Sequence, residues 1–158
     1  MKILIVSDTH RSLKNFKVAW EEESPVDMLI HLGDIERQMS DLLDMVDCET
    51  YMIAGNNDFL CGLDNEMVIE IGEYKAFLTH GHRYMVGYTD EYITEAAREH
   101  GADIAMFGHT HVPYINNEDL LLLNPGSMTY PRQSGRRPSY MVMEVDEENE
   151  ISLEVKYL

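Results

Sequence analysis

Five short polar clusters, each following a β-prone apolar run, constrain this chain more than any other feature. They are Asp8-Thr9-His10, Gly33-Asp34, Gly55-Asn56-Asn57-Asp58, His80-Gly81-His82 and Gly108-His109-Thr110-His111. Alternating strands and helices gather ligands beyond the carboxyl ends of the strands, so clusters at those ends predict one shared site.

The runs between the clusters predict the scaffold. Residues 2–7 form a β-prone run, apolar from Ile3 to Val6, that suits a strand buried on both faces. Leu13, Phe16 and Trp20 recur at helical spacing, predicting a helix over about residues 13–22, with Pro25 marking its exit. A second strand is expected at 28–32, and Ile35, Met39, Leu42, Leu43 and Val46 form another helical stripe before a third strand at 50–53. Two β-prone runs then flank Gly72-Glu73 at hairpin spacing. A helix over about 89–99, with Tyr92, Ile93, Ala96 and Ala97 on one face, leads to a strand at 104–107. The rest is strand-rich, with a hairpin near Asn116-Asn117 and strands at 120–123, 140–145 and 151–157. The 158 residues suit one domain over 1–158, of α/β class. Two sheets packed face to face and covered outside by helices bury so many strands most simply.

Composition narrows the function. The formal charge of −17 argues against gripping long nucleic acid, which needs a Lys/Arg surface to displace counterions. The first apolar run stops at Ser7-Asp8, far short of the roughly twenty residues of a membrane span, so a cytoplasmic protein with no membrane partner is expected. Cys48 and Cys61 read as reduced thiols, and the Glu21-Glu22-Glu23 and Asp146-Glu147-Glu148 runs as solvated surface. The eleven methionines, scattered through the apolar stripes, read as core filling.

Carboxylate and amide oxygens mixed with several imidazoles suit Mn, Fe, Co, Ni or Zn better than Ca or Mg. The absence of thiolates argues against a structural zinc site and favours a paired catalytic centre.

In order and spacing, D-x-H, G-D, G-N-x-D, T-H-G-H and G-H-T-H resemble the calcineurin-like metallophosphoesterases, in particular their small single-domain bacterial and archaeal phosphodiesterases. The resemblance runs from Met1 to about Arg132. It implies a four-layer fold and two divalent cations: Asp8, His10 and His111 would hold the first, Asn56, His80 and His109 the second, and Asp34 would bridge them. Mn2+ is the family-based choice, with Ni2+, Fe2+, Co2+ or Zn2+ also suitable. Cations so bridged lie about 3.5–4 Å apart and share a solvent molecule that is hydroxide at neutral pH, able to attack phosphorus. Such a site draws small phosphate esters even on an acidic protein.

Many members carry a histidine after the ligand asparagine, where this chain has Asn57. Asn57 can donate a hydrogen bond to the substrate but cannot deliver a proton. Aryl phosphodiesters should therefore be cleaved readily and alkyl monoesters poorly. His82 is expected near the substrate, and Asp58 either orients a ligand histidine or closes an Asx turn. The Asn124-Pro125-Gly126-Ser127 loop resembles one that lies beside the metals. Arg11 and Arg132 are candidate phosphate contacts, with a solvated turn as the alternative. His31 should support the Asp34 loop, and His100 should end a helix. The competing functions are a phosphomonoesterase and a protein-binding scaffold resembling a subunit of the retromer coat. The sequence leaves a homo-oligomer open.

Overall fold

Alternation along β1 (Lys2–Val6) sets the layers: Ile3 and Ile5 face one way, Leu4 and Val6 the other, and all four are fully buried. The computed structural model, which describes residues 1–158, places β1 at the centre of a five-stranded sheet. The other strands are β2 (Met28–His31), β3 (Glu49–Met52), β9 (Ser139–Val145) and β10 (Ile151–Tyr157), in the order β10-β9-β1-β2-β3. β1, β2 and β3 run parallel, whereas β9 and β10 are antiparallel additions.

The second sheet has the order β4-β5-β6-β8-β7, formed by β4 (Glu66–Ile71), β5 (Tyr74–Thr79), β6 (Ile104–Met106), β7 (Pro113–Asn116) and β8 (Leu121–Pro125). Ile71 pairs with Tyr74, so Gly72-Glu73 is the two-residue hairpin its spacing predicts, with Gly72 at φ 59°. The two sheets meet through Ile3, Ile5, Ile30 and Met141 on one side and Ile69, Leu78, Ile104 and Leu123 on the other. Full burial of such a side chain stabilises by roughly 1.5–3 kcal/mol, which makes this inner layer the main support of the fold.

Helices cover the outer faces. α1 (Lys14–Glu23) lays Phe16 and Ala19 against Leu4, Val6 and Leu29, and Pro25 follows its end. α3 (Glu91–Glu99) presents Ile93, Ala96 and Ala97 to Phe77, Ala105 and Leu122. His100 caps α3, its Nδ1 2.8 Å from the Ala96 carbonyl, and stacks on Phe77. The result is the expected four-layer arrangement, and no helix is long and apolar enough to cross a membrane.

Three local expectations are corrected. The stripe from Ile35 to Val46 yields only a short helix, α2 (Met39–Leu43). Its first part is turned away from helical geometry, with Glu36 at φ 50° and Arg37 at φ 71°, because Asp58 captures the Ile35 and Glu36 amides. Tyr92 is half exposed, leaving the buried stripe of α3 narrower than its spacing suggested. Glu23 is not solvated surface: it is 4% exposed and meets Lys2 at 2.9 Å, Lys156 at 2.8 Å and the Tyr140 hydroxyl at 2.9 Å.

Candidate metal centre

Parallel strands bring the predicted ligands together. Asp8, Asp34 and Asn56 follow β1, β2 and β3, while His80 and His109 follow β5 and β6 of the facing sheet. The turns that carry them are strained: Asp8 (φ 56°), His10 (φ 40°), Asp34 (φ 58°), His109 (φ 67°) and His111 (φ 61°) all adopt left-handed backbone. Each such residue costs roughly 1–2 kcal/mol relative to ordinary geometry, so the surrounding packing must hold these turns in place.

Glycine makes the approach possible at two points. A side chain at Gly55 would fall on the Asp34 carboxylate, and one at Gly33 would crowd the Gly55 backbone and the His80 ring. Asp58 then clamps the two loops, accepting hydrogen bonds from the amides of Asp34 (2.6 Å), Ile35 (3.3 Å), Glu36 (2.7 Å) and Gly55 (2.8 Å). Its partners are backbone amides rather than a histidine. From the other side, Asn124 Nδ2 donates to the Gly108 carbonyl at 2.7 Å and Ser127 Oγ to the Asp8 carbonyl at 3.1 Å. The Asn124–Ser127 loop thus ties the two sheets together beside the site.

The imidazoles are oriented in one manner. His80 Nδ1 lies 2.6 Å from the Leu32 carbonyl, His111 Nδ1 2.7 Å from the Tyr130 carbonyl, and His10 Nδ1 2.8 Å from Glu36 Oε1. An Nδ1–H donated outward leaves the Nε2 lone pair of each ring facing the site, an arrangement common to metal-binding histidines. Asp8 Oδ1 lies 3.0 Å from His111 Nε2 and 3.6 Å from His10 Nε2. Asp34 Oδ2 is 3.7 Å from His10 Nε2 and 3.5 Å from His80 Nε2, and so stands between two groups of donors. Separations of this size match the edges of a coordination shell with bonds of about 2.0–2.2 Å.

Three buried atoms here lack a hydrogen-bond partner: Asp8 Oδ1, Asn56 Oδ1 and His80 Nε2. Buried polar atoms are ordinarily satisfied, and orphaned acceptors are the groups a cation would engage. His10 Nε2 and His111 Nε2 face each other at 3.3 Å although both Nδ1 atoms are already committed, which requires a proton or a cation between them. The donor set therefore fits divalent metals.

The electrostatics agree. Burial works to raise the Asp8 carboxyl, but the His10, His111 and His80 rings close to it outweigh burial and hold Asp8 well below the usual carboxylate range. Burial is likewise outweighed at Asp34, lowered to about 2 chiefly by His80. Burial alone would lower His10, yet the nearby Asp8 carboxylate and the hydrogen bond to Glu36 raise it to about 9. His109 is lowered by burial and by His80.

The remaining candidates lie around this cluster. Asn57 is turned onto Asp34, its backbone amide 2.8 Å from Oδ1 and its side-chain amide 2.7 Å from Oδ2. His82 stands beside His80 and His109, with ring centroids 5.5 and 6.1 Å away; its buried Nδ1 is unpartnered and burial lowers its pKa. Arg11 is exposed and bound to Glu36 at 2.5 Å, and Arg132 is exposed on the rim of a cleft that includes His109. His31 is fully buried and lowered to about 4 by burial, so it is neutral; it accepts from the Gly33 amide and donates to Thr9 Oγ1, supporting the loop as expected. The residue that sequence reasoning missed is Glu36, which holds both His10 and Arg11. Its carboxylate, two positions after Asp34, was the available signal.

An α/β sandwich whose strand ends converge on carboxylates, an amide and outward-braced imidazoles defines a metal-dependent class of protein. The chain belongs to the calcineurin-like phosphoesterase superfamily, whose domain model matches residues 1–148. It is 33% identical over 146 residues to a phosphodiesterase from Methanocaldococcus jannaschii, covering 80% of this chain and 83% of that protein. The structure of a predicted phosphoesterase from Streptococcus pneumoniae superposes with a TM-score of 0.80 at 28% identity, over 99% of this chain and 97% of that one. Zinc-bound Vps29 from Entamoeba histolytica also reaches a TM-score of 0.80, at 22% identity and 99% coverage of both chains, a likeness of fold alone.

Proposed function

We propose that this protein is a phosphodiesterase acting on small phosphate esters, with two divalent cations held by Asp8, His10, Asp34, Asn56, His80, His109 and His111. The observation that carries this reading is the convergence of Asp8, Asp34 and His80, whose ligand atoms lie within 4.8 Å of one another, with Asp8 Oδ1 and His80 Nε2 unpartnered. When bound, such a metal pair activates water at neutral pH and neutralises charge on the phosphoryl oxygens. The protein's own groups do the positioning. Glu36, Leu32 and Tyr130 fix the rings of His10, His80 and His111, and Asn57 fixes Asp34. His82, half-buried beside His80 and His109, is the polar group available to the ester oxygen, and Arg132 is the cation available to the phosphate. Manganese is our choice of metal, on the mixed oxygen and nitrogen donor set and the family resemblance.

A diester is favoured over a monoester because two separate clefts border the centre. One, of about 610 Å³, includes His109 and Arg132; the other, of about 530 Å³, includes Asn57, Asp58 and Arg11; they share no lining residue. A diester has two organic arms to place, whereas a monoester has one. The scaffold reading rests on likeness of fold and leaves the complete donor set unexplained.

Protein stripped of metal and reconstituted with Mn2+ is expected to hydrolyse bis(4-nitrophenyl) phosphate at least about tenfold faster than 4-nitrophenyl phosphate, and chelator should abolish both activities. Equal rates on both esters would remove the diester assignment. Unchanged activity in chelator would remove the metals.

A further inference from the structure

The cleft that includes His109 has a distinct chemistry. Its walls carry Val86, Phe107, Val112 and Tyr114, and the Phe107 and Tyr114 rings lie 6.2 Å apart at 53°. The tyrosine is braced: its hydroxyl donates to Asp90 Oδ2 at 2.8 Å, and Asn116 Nδ2 reaches the same oxygen at 3.4 Å. A braced aromatic face is a ready-made platform for a flat ring, since little side-chain freedom is lost when a ligand settles on it. At about 610 Å³ the cleft is within the range of small-molecule sites, with room for a nucleoside-sized group.

We infer that this cleft is the subsite for an uncharged aromatic ester arm, an aryl or nucleoside group, of the phosphate ester whose phosphorus sits at the metal centre. His109 lines the cleft and is also a proposed metal ligand, so the cleft opens where the phosphate would lie. Arg132 stands on the rim, while the Asp90 carboxylate lies among the lining groups and disfavours a further phosphate inside. The arm is therefore neutral and apolar in its body, with the Thr89 hydroxyl, which accepts from the Glu91 amide and keeps its own proton free, offered to its polar edge. The second cleft also carries an aromatic ring, Phe59, but sets Arg11, Arg37 and Glu36 along its lining and leaves that ring exposed, with no hydrogen bond to hold it. The inference rests on the proposed phosphate site but concerns which organic group is chosen.

The test uses two phosphonates that the enzyme cannot cleave at carbon, phenylphosphonate and methylphosphonate, titrated calorimetrically into the Mn2+-loaded protein. The parent is expected to bind the phenyl compound about tenfold more tightly. Tyr114→Ala should bring that ratio close to one, and Val112→Trp, which fills the cleft from its rim without removing the platform, should do the same. Tyr114→Phe should keep the preference. A parent ratio near one, or a preference that survives both Tyr114→Ala and Val112→Trp, overturns the inference. Hydrolysis assays on the same preparations separate the two readings: diester turnover without phenyl preference sinks only the subsite, whereas phenyl preference without turnover sinks only the catalytic reading.

Discussion

The two ends of β1 each carry a buried carboxylate cluster, and they are built to opposite purposes. At the start, Glu23 is met by Lys2, Lys156 and Tyr140, so that every charge has its counterpart. Beyond the end, Asp8 and Asp34 are met by imidazoles whose free nitrogens point inward, and Asp8, Asn56 and His80 retain unpartnered atoms. The first cluster is complete in the folded chain alone. The second keeps atoms that the folded chain does not satisfy, which is where the proposed cations would act. Burial of acid is common to both, and what separates a site from a structural ion cluster is the unsatisfied donor atoms together with strained turns that hold them there.

The largest expected effect strikes the second cluster. Asp34→Ala should lower kcat/KM on an aryl diester by at least about 10³-fold in steady-state assays, with the thermal midpoint largely kept; retained activity would erase the contrast between the ends. Gly55→Ala comes next, because the new methyl would fall on the Asp34 carboxylate and on the Asp34 backbone amide, forcing the two loops apart while every ligand side chain is kept. A loss of about 10²-fold is expected, with circular dichroism reporting a folded protein. Glu36→Gln removes the charge behind His10 and should weaken Mn2+ binding about 10- to 100-fold in equilibrium titration.

The first cluster should answer only in stability. Glu23→Gln is expected to lower unfolding free energy by about 1–3 kcal/mol in urea titration, with kcat/KM within about twofold of the parent. Its pH dependence has a fixed sign. Burial would raise the Glu23 carboxyl, but Lys156, Lys2 and Tyr140 hold it below the ordinary 4.5. Its contribution is thus present above about pH 4.5 and lost as pH falls through the lower folded value. The parent should lose its margin over Glu23→Gln in acid, as unfolding at pH 7 and pH 3 would show.

Much of this architecture was legible beforehand, for physical reasons. Apolar runs such as Ile3 to Val6 announce buried strands, and short polar motifs at their ends announce a convergent site. What escaped depends on contacts between distant residues. The stripe beginning at Ile35 reads as helix until Asp58, more than twenty positions later, takes its amides. Glu23 reads as one of three surface acids until the fold brings Lys156 beside it. For Asp58 the sequence offers a ligand histidine or an Asx turn, and neither reading foresees a carboxylate that gathers backbone amides from two loops. Periodicity reports local burial, and it carries no record of which far residue will satisfy a given polar group.

The central claim is that Asp34 stands between two cations. Anomalous diffraction at the manganese edge from crystals grown with Mn2+ measures this directly. The expected result is two peaks per chain, one beside Asp8, His10 and His111 and the other beside Asn56, His80 and His109, with Asp34 touching both. A single peak, or a pair that Asp34 does not join, would contradict the account.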